Sequence, residues 1–156
     1  MLKKTKPLTA PKEAIALLRA DHKHVSDLFA EYKKARSAAK KTELVKNICT
    51  ELTVHAQVEE EIFYPAVKTA LKDKELIPEA IVEQATMKEL IGQIEGKQPD
   101  GEMFDAKVKV LSEYVKHHVK EKHTEMFPKA NATRLDMLAL GAQMASRKSE
   151  LMAQRV

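Results

Sequence analysis

Leu52-Thr53-Val54-His55-Ala56-Gln57-Val58-Glu59-Glu60-Glu61-Ile62-Phe63-Tyr64-Pro65 reads as a helix whose apolar face carries a histidine and a glutamate. Leu52, His55, Glu59 and Ile62 step by three and four, so they share one face. Burying a His and a Glu is costly unless they are paired with each other or bound to a metal. The seam extends back through Ile48 and Leu44 or Val45. This predicts a helix that starts near Lys41 or Thr42 and kinks at, or re-forms beyond, Pro65.

Three more seams flank this one. Ile15, Leu18, His22, Val25, Phe29 and Tyr32 predict a first helix of about six turns. Thr9 and Pro11 form its start signal. Pro78 is read as opening a third helix, with Ile81, Gln84, Met87 or Lys88, Ile91 and Ile94 inward and Gly96 at its end. Gln98-Pro99-Asp100-Gly101 has turn chemistry. Phe104, Val108, Leu111, Val115, His118, Lys122 and Glu125 form a fourth seam that ends near Phe127-Pro128. The links are short, which favours antiparallel neighbours. Asp136 is placed to cap a shorter fifth helix containing Leu138, Leu140, Met144 and Leu151. The fold class predicted is all-α: an antiparallel up-down four-helix bundle with a short C-terminal helix. Residues 1–10 are expected to be a flexible leader, 11–130 the bundle, and 131–156 a C-terminal helical extension.

Composition agrees with this class. The 156 residues include only four Gly and are 44% hydrophobic, which suits one helical domain with a substantial core. The net charge of +4 lies partly in Lys3, Lys4 and Lys6, and in Lys33, Lys34, Arg36, Lys40 and Lys41. Aromatic residues are only 4% and do not interleave with these charges, so they read as a solvated surface with no nucleic-acid motif. No apolar run has membrane-spanning length, and no signal peptide follows the first lysines. Cys49 is the single cysteine, which fits a reducing, cytoplasmic setting.

The second and fourth helices echo each other. His55 precedes Pro65, and His118 precedes Pro128, by the same interval in stretches that end Phe-Tyr-Pro and Met-Phe-Pro. One seam His is usually a satisfied core residue. His22, His55 and His118, with Glu59 one turn from His55, make a set whose ligand types suit iron, manganese or zinc.

With these motifs in place, the chain resembles the hemerythrin family, specifically bacterial hemerythrin-like domains with a His-His-Glu cation-binding pattern. The resemblance runs from about Ile15 to Phe127. It rests on Asp21-His22, on His55 to Glu59 with Phe63-Tyr64-Pro65, and on His117-His118 with Met126-Phe127-Pro128. It implies non-haem iron, two ions in the family, and a small ligand such as O2, peroxide or nitric oxide. It implies His22, His55, Glu59 and His118 as metal ligands.

Two positions depart from the family pattern. Gln84 follows Glu83 where the third helix has a His, and Lys122 stands where the fourth has a carboxylate. A Lys in the cavity would repel a second dication, or pair with Glu59 and fill the vacated space. The expectation is therefore one ion held by the His22, His55 and Glu59 half-site. Two ions require His117, Glu121 or His123 to turn inward through a different register of the fourth helix. A bundle without metal, acting as a structural or protein-interaction module, is the alternative. Catalysis at a mononuclear centre is a third reading, unsupported by any nucleophile or acid-base set. Oligomeric state is not legible. His24, two residues from His22, reads as a surface residue, Tyr64 as a packing aromatic near the site with hydrogen bonding to the site as its alternative role, and Cys49 as an inert core or boundary thiol.

Overall fold

The computed structural model describes residues 12–155, which form helices and their connecting turns with no strand among them. The expected leader, and the Thr9-Pro11 start signal, lie outside the described residues. Helix α1 spans Ala14–Lys34, with the Glu13 carboxylate accepting the Ala16 N–H at 2.6 Å. Helix α2 spans Ala38–Val58 and starts before the expected Lys41, because Ser37 Oγ accepts the Lys40 N–H and caps it. A π turn at Glu59–Phe63 joins α2 to α3, Tyr64–Leu71. Helix α4 is Leu76–Ile94. Both Asp73 carboxylate oxygens accept from its first N–H groups, those of Leu76 and Ile77, so Pro78 lies within the first turn and does not open the helix. Helix α5 is Glu102–Glu121, and a second π turn, Lys122–Met126, leads into α6, Phe127–Asn131. Helix α7 is Met137–Gln154, capped by Asp136 as expected, but it is nearly as long as α4 and not a short appendage.

One π turn stands where a kink at Pro65 was expected, and the other carries the fourth rod past Phe127-Pro128, where it was expected to end. The Tyr64 N–H bonds the Glu59 carbonyl, and the Phe127 N–H bonds the Lys122 carbonyl, five residues back in each case. A proline that follows cannot donate and would crowd the preceding turn, and the wider turn accommodates it without breaking the rod. The wider turn also moves the inward position from the third residue to the fourth. Met126 is therefore buried where Glu125, expected on the seam, is exposed. Phe63 is buried where Ile62 is only half-buried. In α4, Ile81 is 44% exposed, and Ile77 and Ala80 take the core positions instead.

Helices α1, α2 with α3, α4, and α5 with α6 make the four rods of the bundle. Helix α7 lies along α1, α2 and the first π turn. A Cβ at Gly141 would collide with the Lys12–Ala14 backbone, so the glycine permits the close approach of α7 to the start of α1. Two apolar clusters form the core. One gathers Leu18, Val58, Phe63, Tyr64, Ile77, Phe127 and Met144, and the other Phe29, Ile48, Leu52, Ile91, Phe104 and Leu111. Along every rod a polar residue falls between the two: Asp21 and His22 on α1, His55 and Glu59 on the second rod, Gln84 on α4, His118 and Lys122 on the fourth. No helix of the described residues is long and apolar enough to cross a membrane.

Candidate metal centre

A buried polar layer must satisfy every group it contains or lose stability. Glu59 is fully buried and lies at the centre of this one. Lys122 Nζ, 2% exposed, donates to Glu59 Oε1 at 2.8 Å and to Oε2 at 2.6 Å. Tyr64 Oη donates to Oε1 at 3.2 Å. Gln84 Nε2 donates to Oε1 at 2.5 Å and to Tyr64 Oη at 3.1 Å. An ionised carboxylate only accepts, which orients the Gln84 amide with its NH2 toward Glu59. Burial opposes the charge on Glu59, but His55 and Lys122 outweigh it and hold the pKa well below the usual carboxylate value. Burial and the Glu59 charge push the Tyr64 phenol well above its usual value, so it remains a donor.

The histidines are each held by one ring nitrogen. His55 Nδ1 donates to Asp21 Oδ2 at 2.9 Å, and Asp21 Oδ1 accepts from Lys148 Nζ of α7 at 2.6 Å. His118 Nδ1 bonds Glu83 Oε1 at 2.6 Å, and His22 Nδ1 lies 3.0 Å from His123 Nε2. The opposite nitrogens, Nε2 of His22, His55 and His118, are buried without a hydrogen-bond partner. An imidazole fixed at one nitrogen by a carboxylate, with the other left free, is the arrangement in which histidine binds a metal. Donor atoms of His22, His55 and Glu59 all lie within 4.8 Å of one another. His118 groups instead with Glu83 and Glu121, again within 4.8 Å, beside a small cavity of about 70 Å³ at the bundle surface.

Charge states differ around the layer. Burial, with His55 and Lys122 nearby, pushes the His22 pKa far below the usual histidine value. The same causes, burial first and then Lys122, bring His118 down to about 3. Both are neutral, the state a ligand needs. Burial works against charge on His55 too, but Glu59 and Asp21 raise its pKa. The two carboxylates thus favour a protonated His55 ring, and Glu59 Oε1 lies 3.4 Å from its Nε2, within ion-pair reach though not hydrogen-bonded to it. Burial opposes ionisation of Asp21, but His55 and Lys148 keep its pKa below the usual value. Burial and the nearby Glu121 carboxylate raise Glu83 to about 7.

This donor set fits one cation. His22, His55 and Glu59 offer two neutral-capable imidazoles and a carboxylate, which suits a divalent transition metal with open positions. A second cation beside Glu59 is opposed by the Lys122 ammonium, which lies 2.8 and 2.6 Å from that carboxylate's oxygens and repels a further dication in the buried layer.

Residues 13–130 match the hemerythrin HHE cation binding domain family. The chain belongs to that family. It is similar to a curated DNA nickase of Nostoc sp. (strain PCC 7120), 32% identical over 111 residues, which is 71% of this chain and 31% of the nickase. The chain thus spans less than a third of that relative, and the activity in its name belongs to the longer protein. Among solved structures, a hemerythrin HHE cation binding domain-containing protein of Mycobacterium kansasii superposes with a TM-score of 0.79, covering 92% of this chain and 89% of that one at 19% identity. That likeness establishes the hemerythrin-like bundle fold.

The sequence-expected residues divide between two groupings. His22, His55 and Glu59 come together, and Lys122 pairs with Glu59 in the space between the helices. His118 is buried in the same layer but shares its donor group with Glu83 and Glu121. Lys122 points inward, so α5 keeps the expected register as far as that residue, and the π turn that follows shifts it. His123 reaches His22, because the second π turn brings in a residue five positions beyond His118. His24 is exposed and Cys49 is buried, as expected. Tyr64 does more than pack, since its hydroxyl bonds Glu59. The roles of Asp21 and Glu83 as histidine partners were not expected, although each adjoins a flagged residue in sequence. Lys148 carried no signal in the sequence at all.

Proposed function

We propose that this hemerythrin-like bundle holds a single non-haem iron at His22, His55 and Glu59 and presents it to a small ligand such as O2, peroxide or nitric oxide. The observation that carries the reading is the set of unpartnered buried Nε2 atoms, each on a ring whose Nδ1 is already held. Such an ion would supply a redox-active centre with coordination positions left for the ligand. Asp21 fixes the His55 ring and keeps Nε2 facing the centre. Burial keeps His22 neutral. Tyr64 and Gln84 hold Glu59 in place, and the apolar clusters on either side limit water. His118 lies in the same layer, its Nδ1 held by Glu83, and is a further histidine the fourth rod offers.

The test is iron per chain after anaerobic Fe(II) loading and desalting, with His55→Ala beside it. About one ion, lost in the variant, is the expected result. About two would mean that Glu83, His118 and Glu121 hold a second ion. No retained iron would favour the other reading, a metal-free bundle acting as a structural or interaction module. The Lys122–Glu59 pair favours that second reading, because it neutralises the central carboxylate without metal.

A further inference from the structure

Helices α4 and α5 pack side by side, and the cavity of about 70 Å³ opens between α4 and the fourth rod at the level of the polar layer. That space is several times what one water needs, so it can hold an ion with waters of its own. Four carboxylates line it: Glu79 and Glu83 one turn apart on α4, and Glu121 and Glu125 one turn apart on the fourth rod. Lys122 also lines it, but its ammonium is committed to Glu59 at 2.8 and 2.6 Å. Among the described residues Glu79 and Glu125 form no ion pair, and Glu121 pairs with the exposed His117 at 3.3 Å.

Carboxylates alone are common on a protein surface and select nothing. This cluster differs because a buried imidazole forms part of its wall. His118 is 5% exposed, its Nδ1 lies 2.6 Å from Glu83 Oε1, and its Nε2 has no hydrogen-bond partner. A ring nitrogen of His118 and one oxygen each of Glu83 and Glu121 lie within 4.8 Å of one another. Ligands about 2.1 Å from a shared ion stand at most about 4.2 Å apart, so small side-chain movements close the set. Glu83 and Glu121 are only half-buried and are free to make them. We propose that Glu83, His118 and Glu121 form a second, exchangeable site for a divalent cation of the Mn(II) or Zn(II) kind. One imidazole and two carboxylates, with water completing the shell, suit such an ion, whereas carboxylates alone would suit Mg(II) as well. Glu79 and Glu125 stand beside the three ligands, where their charge concentrates cations. The half-exposed carboxylates let the ion leave when free metal is removed, so it adds nothing to the iron retained after desalting. No ligand is shared with the His22, His55 and Glu59 set, so the proposal does not rest on the iron reading.

The experiment is titration of chelator-treated full-length protein with MnCl2, with free Mn(II) read from its electron paramagnetic resonance signal. Glu83→Gln with Glu121→Gln should lower bound Mn(II) at saturation by about one ion per chain, with the far-ultraviolet circular dichroism unchanged. His55→Ala should keep this ion. Zn(II) should displace it, and Mg(II) at about tenfold excess should not. Unchanged Mn(II) in the Glu83 and Glu121 double variant, loss of this ion in folded His55→Ala, or displacement by Mg(II) as readily as by Zn(II) would each overturn the proposal. If His55→Ala does not fold, the double variant against the unaltered chain decides the question. The double variant leaves His22, His55 and Glu59 in place, so iron retained after desalting reports on the central site separately.

Discussion

The two π turns of the bundle occupy matching places and begin with opposite charges at the buried inward position, Glu59 in one and Lys122 in the other. In the first, His55 is followed one turn later by Glu59, and Pro65 follows the wide turn. In the second, His118 is followed by Lys122, and Pro128 follows. Each histidine is held by a carboxylate from a neighbouring rod, Asp21 in one case and Glu83 in the other. The backbone solution is therefore the same twice, and the inward side chains are anion and cation. Their ion pair closes the centre of the layer. The layer thus pairs one buried carboxylate with an internal counter-ion, and the residue that heads the second turn decides the charge balance at its centre.

Removing the anion should break this arrangement hardest. Glu59→Ala leaves the Lys122 ammonium buried without a partner, a loss of about 3–5 kcal/mol in urea unfolding. Lys122→Met should cost less, about 1–3 kcal/mol, because Glu59 keeps Gln84, Tyr64 and a protonated His55. If the two variants unfold at the same urea concentration, the asymmetry between the turns is wrong.

Making the turns alike should change the metal content. Lys122→Glu combined with Gln84→His is expected to raise bound iron from about one to about two per chain, with an oxo-bridge absorption band appearing. Elemental analysis and the optical spectrum check it, and unchanged iron would count against the role given to those two positions.

Acid should find the histidines next. His22 and His118 have pKa values lowered from 6.5, His118 to about 3, so below about 6.5 the unfolded chain binds protons that the folded chain refuses. Metal-free protein should therefore lose stability progressively as pH falls from 6.5 toward 3. His55 has a raised pKa, and its contribution is present below 6.5 and fades at higher pH. The depressed Glu59 adds a further loss only below about 4.5. His118→Gln should flatten the fall between pH 6.5 and 4.5 in urea midpoints taken across that range, and an unchanged slope would remove His118 from this account. Bound iron should steepen the fall, because its ligands must be deprotonated.

The smallest effect is expected at the edge of the layer. Lys148→Met removes the outer partner of Asp21 from a half-exposed site and should cost about 0–1 kcal/mol. A larger loss would show that α7 supports the first half-site more strongly than the exposed geometry implies.

Much of the fold was legible because its signal is periodic. Leu18, Val25, Phe29, Leu52, Leu111 and Val115 recur at helical spacing and are buried where that spacing puts them. His55 with Glu59, and His118 with Lys122, stood out as charge on an apolar face, which water cannot explain. Ile81 and Glu125 were misplaced for local reasons: an Asp73 cap sets the α4 start, and a π turn shifts the inward position by one. Neither is visible in an apolar count.

The sequence by itself determined the four amphipathic rods, the inward histidines and the opposite charges at Glu59 and Lys122, because burial periodicity is a property of one helix at a time. Only the tertiary structure decided that Glu83 holds His118, that His123 reaches His22, and that Lys148 backs Asp21. Those pairings join residues distant in the chain, and their geometry depends on how the rods pack and on the extra residue that each wide turn inserts.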